Sequence, residues 1–160
     1  SATEDADLFL VVRLFSPDMK EIVFQGTLDP HTPIANGWLR ASHRKLDPAQ
    51  SSEWQPYHTH DEKQLLTPGE IYELDIKIWP TCVVIPAGYR LALSIRGKDY
   101  VYSCATSHRL SNMKNTFTGV GPFLHNDPTD RPEDIFGDDV ALHTGPNHPS
   151  WLMLPIVPPK

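Results

Sequence analysis

The chain is short of cysteine, of long apolar runs and of basic clusters, and each shortage removes a class of protein. Only two cysteines, Cys82 and Cys104, occur among 160 residues. Two are too few for a disulfide scaffold, and their spacing is not that of a zinc site. Free thiols in a reducing, cytoplasmic setting are the expectation. No apolar run approaches the ~20 residues that a helix needs to cross a bilayer, and no secretory leader is visible. Lys and Arg number 14 against 20 Asp and Glu, for a net charge of -6 with no basic block. Nucleic acid and anionic membrane surfaces are therefore poor partners.

Catalytic signatures are missing too. A nucleophile elbow, G-x-S-x-G, needs glycines four apart; the nine glycines, at 26, 37, 69, 88, 97, 119, 121, 137 and 145, include no such pair. No G-x-x-x-x-G-K phosphate loop occurs, and Gly119-Val120-Gly121 runs into a proline rather than a helix. Asp127/Asp130 and Asp138/Asp139 are paired carboxylates in turn-rich sequence, where solvation explains them better than glycosidase chemistry. Cys82 sits in an apolar run, the setting of a thiol that packs as a small hydrophobe; Cys104 lies in a loop near His108.

What is abundant is proline. Sixteen of them are about twice the usual share, which long helices would not tolerate and turns and sheet edges would. Hydrophobic residues make up 39%, and a chain of this length buries roughly 70% of its unfolded surface, enough for one domain with a real core. Residues 6–15, ADLFLVVRLF, read as a strand covered on both faces, returning through the SPDMK turn to a short strand at 22–26. Residues 36–43, NGWLRASH, read as a strand with Trp38, Arg40 and Ser42 on one face and Leu39, Ala41 and His43 on the other. Tyr72, Leu74, Ile76 and Ile78 alternate with Glu73, Asp75 and Lys77, predicting a half-buried strand over 69–79. Shorter strands are expected at 82–85, 140–144 and 150–156, and a further alternating one at 89–96. The stretches 46–68 and 97–138 read as long loops. No internal repeat, low-complexity tract or amphipathic helix is apparent. About eight short strands with two long loops predict an all-β fold, a jelly-roll β-sandwich.

The first long loop holds YHTHDE, Tyr57–Glu62. His58 and His60 would point the same way in a strand, as paired imidazole ligands do. Metal-binding jelly rolls of the cupin type add a glutamate four or five residues on and a histidine after a later P-x-G turn. Here Glu62 comes too early, and Leu91 stands where the histidine after Pro86-Ala87-Gly88 should be. No metal or other cofactor is expected, and the histidines read as loop residues. Arg40, His43 and Arg44 lie just upstream and are candidates to pair with Asp61 or Glu62. Of the four tryptophans, Trp38, Trp79 and Trp151 fall in or beside strand patterns and suit packing, whereas Trp54 lies in the polar loop and suits docking or a sugar contact.

One run carries more: GWLRASHRKLDPAQSSEWQPYHTHDEKQLLTPGEIYELDIKIWPTCVVIPAGYRLALSIRGKDY. It resembles the C-terminal domain of X-Pro dipeptidyl-peptidase and of cocaine-esterase-like (CocE/NonD) serine hydrolases, through Gly37–Arg44, Pro56–His58, Pro68–Glu70 and Pro86–Leu91. Asp5–Phe9 and Pro149–Pro155 also fit, so the resemblance spans nearly all of residues 1–160. It implies a galactose-binding-like jelly roll, itself without a catalytic triad, that packs on an α/β-hydrolase domain in the same polypeptide or a separate chain. The whole enzyme would cleave esters, amides or Xaa-Pro peptides. Arg40, His43, Arg44, Trp54, His58, His60 and Asp61 become candidates for the interdomain or substrate-facing wall. The resemblance also implies one or more strands ahead of Asp5–Phe9, so an open edge and association, with copies of itself included, are expected unless a partner supplies them. Two other classes compete: an independent carbohydrate-binding module, read by Trp54, and a metal-dependent jelly-roll enzyme, read by His58.

Overall fold

The computed structural model describes residues 1–103, 117–122 and 124–158. Its organising element is β1 (Asp7–Phe15), in which Leu8, Phe9, Leu10, Val11, Val12 and Leu14 are all buried. Each such side chain contributes roughly 1.5–3 kcal/mol on leaving water. Successive side chains point to opposite faces, so this continuous apolar run is covered on both, and β1 lies at the centre of the sheet. It pairs antiparallel with β2 (Glu21–Ile22) and β3 (Ala35–Arg40) along one edge and with β4 (Arg90–Arg96) along the other.

The turn from β1 to β2 is held by Ser16, whose amide donates to the Lys20 carbonyl at 2.9 Å. Met19 in that turn adopts a left-handed backbone, φ 63°. β3 alternates as expected, with Leu39 buried and Trp38 exposed, up to Arg40. There the alternation stops: Ala41–His43 forms a single 3-10 turn, which buries both Ala41 and Ser42. Its start is fixed by Asp5, a buried carboxylate that accepts from the amides of Ala6 and Ser42, each at 2.9 Å.

Among the described residues the fold is all-β apart from that turn and one four-residue helix, α1 (Glu133–Phe136). Four strands form one antiparallel sheet among the described residues, fewer than the eight expected. Residues 69–79 keep the predicted alternation: Tyr72, Leu74, Ile76 and Ile78 pack on the core cluster of Ala6, Leu8, Leu10, Ala41 and Leu66. Yet the segment forms no ladder, and its tie to β3 is a bond from the Trp79 amide to the Asn36 carbonyl, 2.9 Å. Alternation reports which side chains meet an apolar surface; a strand also needs a neighbour for its backbone. Residues 140–144 and 150–156 likewise lack strand pairing. The run 82–85 is exposed at Cys82, Val84 and Ile85, so Cys82 is a solvent-facing thiol and not the packed one expected. Cys104 and His108 lie outside the described residues. Between 69–79, 139–153 and the sheet runs a groove of about 1040 Å³, apolar on the side of the core cluster.

Candidate functional site

The sequence points to the loop around YHTHDE, and the structure anchors this loop at both ends. A bridge pairs Leu46 with His58, and the Asp47 amide donates to the Tyr57 carbonyl at 2.8 Å. The excursion is therefore a short arm folded back on itself. Trp54 stands at its tip beside the Ser52–Gln55 bridge, 74% exposed. At the base, His43 from the 3-10 turn meets His60, Nδ1 to Nδ1 at 3.1 Å. The rings of His58 and His60 lie 6.0 Å apart. His60 reaches its position through a left-handed backbone, φ 52°.

Three imidazoles are thus gathered in one place, and charge repulsion follows. Burial, and then the neighbouring His60, hold the His43 imidazole below its ordinary pKa. His58 is lowered by the same two causes in the same order. Both shifts favour the neutral rings of His43 and His58. Among the described residues no three of His, Cys, Asp and Glu are disposed to hold one metal ion.

The carboxylates of the motif are bound by a residue that the sequence reading passed over. Lys45 Nζ lies 2.9 Å from Asp61 Oδ2 and 3.3 Å from Glu62 Oε1. Asp61 also accepts a short bond from the Thr59 hydroxyl. This bond and the ammonium keep the Asp61 carboxyl below the usual range. The expected pairing of Arg40 or Arg44 with Asp61 or Glu62 does not form, because both guanidiniums have nearer partners. Arg44 donates to the carbonyls of Ala41 and Gln64 and covers the Tyr72 ring at 4.6 Å. It ties the end of the loop to the core cluster.

Arg40 belongs to a second constellation. It forks onto Asp7, its register partner across the sheet, at 2.9 and 3.0 Å, and onto Asp130 at 3.0 and 2.9 Å. Hydrogen bonding to Asp7 first, and the two carboxylate charges besides, raise its pKa further. Arg131 joins from the far loop, donating to Asp7 Oδ2 at 2.8 Å and to the carbonyls of Gly97 and His125. Phe136 of α1 packs beneath both guanidiniums, 4.6 and 5.7 Å from its ring centre. Such bidentate, stacked contacts are the geometry in which arginine outperforms lysine.

Sequence reasoning missed a third cluster. Asp29, buried in a tight turn, accepts from the amides of Gly119 at 2.6 Å, Gly121 at 3.0 Å and His31 at 2.8 Å. His31 in turn stacks on Tyr102, ring centres 5.0 Å apart. The available signals were Asp29-Pro30 and the distant Gly119-Val120-Gly121, which mark turns but not their meeting. Outside these clusters Trp38 and Trp79 stack at 5.7 Å while both remain exposed. The sequence placed them in packing roles; Trp38 packs on Trp79 and also on the His125 ring, centres 5.3 Å apart. Ser42, the serine nearest the histidines in sequence, is fully buried and is not positioned to meet a substrate.

Comparison with known proteins gives this geometry its setting. “Putative serine esterase Mb1866c” of Mycobacterium bovis is 34% identical over 101 residues, 56% of this chain and 16% of its own length. “Putative serine esterase MT1883” of Mycobacterium tuberculosis matches to the same extent. Two crystal structures of a CocE/NonD family hydrolase from Staphylococcus aureus superpose with TM-scores of 0.62 and 0.63. Their identities are 28% and 27%; they cover 74% and 78% of this chain, and 21% and 22% of the hydrolase. The chain therefore spans about a sixth of the curated relatives it matches, and little more than a fifth of the solved ones. The family described as the X-Pro dipeptidyl-peptidase C-terminal non-catalytic domain matches residues 1–152. With nearly its whole length inside that match, the chain belongs to the family of X-Pro dipeptidyl-peptidase C-terminal non-catalytic domains.

Proposed function

We propose that this chain is the supporting jelly-roll sandwich, galactose-binding-like in topology, of a serine hydrolase. In this reading it packs on an α/β-hydrolase body of the same polypeptide and forms part of the wall of its active site. The whole enzyme cleaves esters, amides or Xaa-Pro peptides. The observation that carries the reading is the family match over residues 1–152, joined to a fold whose prominent polar side chains are spent on holding loops. Arg40 and Arg44 act as internal ties, since both are saturated by partners within the chain. The surface left for the hydrolase body is the tip and outer side of the arm: Trp54, His60 and Asp61, with His43 and His58 behind them.

The test compares the 160-residue chain with the full-length polypeptide on an activated ester and on an Xaa-Pro anilide. The expected result is turnover by the full-length protein and none by the chain; turnover by the chain alone would sink the proposal. The exposure of Trp54 favours one second reading, a carbohydrate-binding module. It requires retention on a polysaccharide resin that is lost in Trp54→Ala.

A further inference from the structure

Among the described residues the sheet ends in an unpaired edge, β4, whose chemistry can be read from hydrogen-bond parity. The β1–β3 register extends to Ala6 and Ala41, and the Ala41 amide donates to the Ala6 carbonyl at 2.8 Å. Bonded and non-bonded pairs alternate along an antiparallel ladder. Leu8, Leu10 and Val12 therefore turn their backbone groups to β3, while Phe9, Val11 and Arg13 turn theirs to β4. Asn36 agrees, since its carbonyl faces away from β1 and accepts from Trp79. In β4 the residues opposite Phe9, Val11, Arg13 and Phe15 are Arg96, Ser94, Ala92 and Arg90. Leu91, Leu93 and Ile95 are left presenting their N–H and C=O groups outward, and among the described residues no backbone group meets them.

Two further observations define what fits there. Leu93 and Ile95 point their side chains into the apolar groove, and Leu91, on the same side of the strand, is exposed. The other side of β4 carries Arg90, Ser94 and Arg96, with Arg13 approaching Ser94 at 3.4 Å. Arg13 is paired with Glu21. Among the described residues Arg90 reaches only the sulfur of Met19, and Arg96 meets no carboxylate. A second copy is a poor occupant: antiparallel pairing centred on Leu93 sets Arg90 directly opposite Arg96, and like charges so placed are destabilising.

We propose that the β4 edge takes up a β-strand from the hydrolase body, one with apolar residues at alternate positions and carboxylates between them. Its backbone bonds to Leu91, Leu93 and Ile95, its apolar side enters the groove, and its carboxylates meet Arg90 and Arg96. This is strand addition, with affinity from the main chain and specificity from the alternating side chains. The source of the strand rests on the accessory role proposed above; the chemistry of the edge does not.

The test uses the 160-residue chain with two capped nine-residue peptides, valine alternating with glutamate or with lysine, read by residue-resolved amide hydrogen exchange. The glutamate peptide is expected to slow exchange at Leu91, Leu93 and Ile95 by roughly tenfold or more, leaving Ala92 and Ser94 unchanged. The lysine peptide should bind roughly tenfold more weakly. Leu91→Pro, which removes an outward N–H and no ladder bond, should abolish the protection while Ala92 and Ser94 report that β4 is still folded. Ile95→Lys, aimed at the apolar side, is the second variant. Equal binding of the two peptides, or binding of neither, overturns the assignment. Protection that grows with chain concentration and no peptide also overturns it, in favour of a second copy. In the full-length polypeptide the three amides should be protected without peptide. An active hydrolase with these amides open defeats this inference and leaves the accessory role standing; protected amides in a polypeptide without hydrolase activity defeat the role and leave the edge assignment standing.

Discussion

Asp7 is one carboxylate between two guanidiniums, and burial decides what it is worth. Its side chain is 9% exposed and those of Arg131 and Arg40 are 12% and 20%, so water does little to replace it. Asp7→Ala leaves both cations underpaired and is expected to cost about 3–5 kcal/mol in chemical denaturation. Asp130 touches the same Arg40 at the same distance but is 63% exposed, and Asp130→Ala should cost only about 0.2–1 kcal/mol. Equal losses from the two would refute this picture of the clamp. The histidine cluster makes a pH prediction. His43 faces His60, Lys63 and Arg40 against Asp5; His58 faces His60 and His43 against Asp75. Both imidazoles are held below their unfolded pKa of about 6.5, so the unfolded chain binds protons first as the pH drops. Stability is then full above about pH 6.5 and declines through that value into the acid range. The urea midpoint should fall between pH 8 and pH 5.5, and His43→Gln with His58→Gln should flatten the profile; a midpoint that rises on acidification contradicts it. None of this was legible as sequence. The motif YHTHDE marked the loop where His58 and His60 meet His43, but that Lys45 takes Asp61 and Glu62 depends on the arm folding back at Leu46 and His58.

Among the elements, legibility followed periodicity. The apolar run of β1 and the alternation in 72–78 both placed their side chains correctly, because burial depends on a residue's neighbours in sequence and on its face. Pairing depends on a distant segment, so residues 69–79 carry a strand's pattern without its ladder. The meeting with β3 hinges on Gly37. A Cβ there would sit 2.3 Å from the Lys77 carbonyl oxygen and 3.0 Å from the Ile78 Cα, both backbone atoms that cannot swing aside. Gly37→Ala should therefore push 77–79 off the edge of β3, at a cost of about 1–3 kcal/mol, with faster amide exchange at Trp79. An unchanged Trp79 amide would show that the contact is not tight. The turn after Arg40 was hidden for a similar reason: Asp5 sets it from outside the strand.

For the molecule as a whole, the sequence spoke to class and family and was silent on closure. Proline content and short alternating runs pointed to β structure, and the motifs between Gly37 and Leu91 pointed to the right relatives. Composition carries no information about which apolar faces meet, and the groove of about 1040 Å³ lies between segments that each looked like a finished strand. Exposed apolar side chains along it, Trp54, Ile71, Leu142 and Trp151, offer a surface to hydrophobic dyes. On the accessory role proposed above, the chain alone should enhance the fluorescence of such a dye several-fold more than an equimolar full-length polypeptide does; equal enhancement would mean that the groove stays open in both.

The position of β1 has a consequence for synthesis. As the centre of the sheet it leaves the ribosome before all three strands that shield it, and β4 comes last. At ~5–20 residues per second, adding the chain from Phe15 to Arg90 takes on the order of 4–15 s. For that interval a continuous run of leucine, phenylalanine and valine has no native cover on one flank. Nascent chains stalled before Arg90 should thus be the ones that holdase chaperones grip, and release should coincide with the emergence of β4.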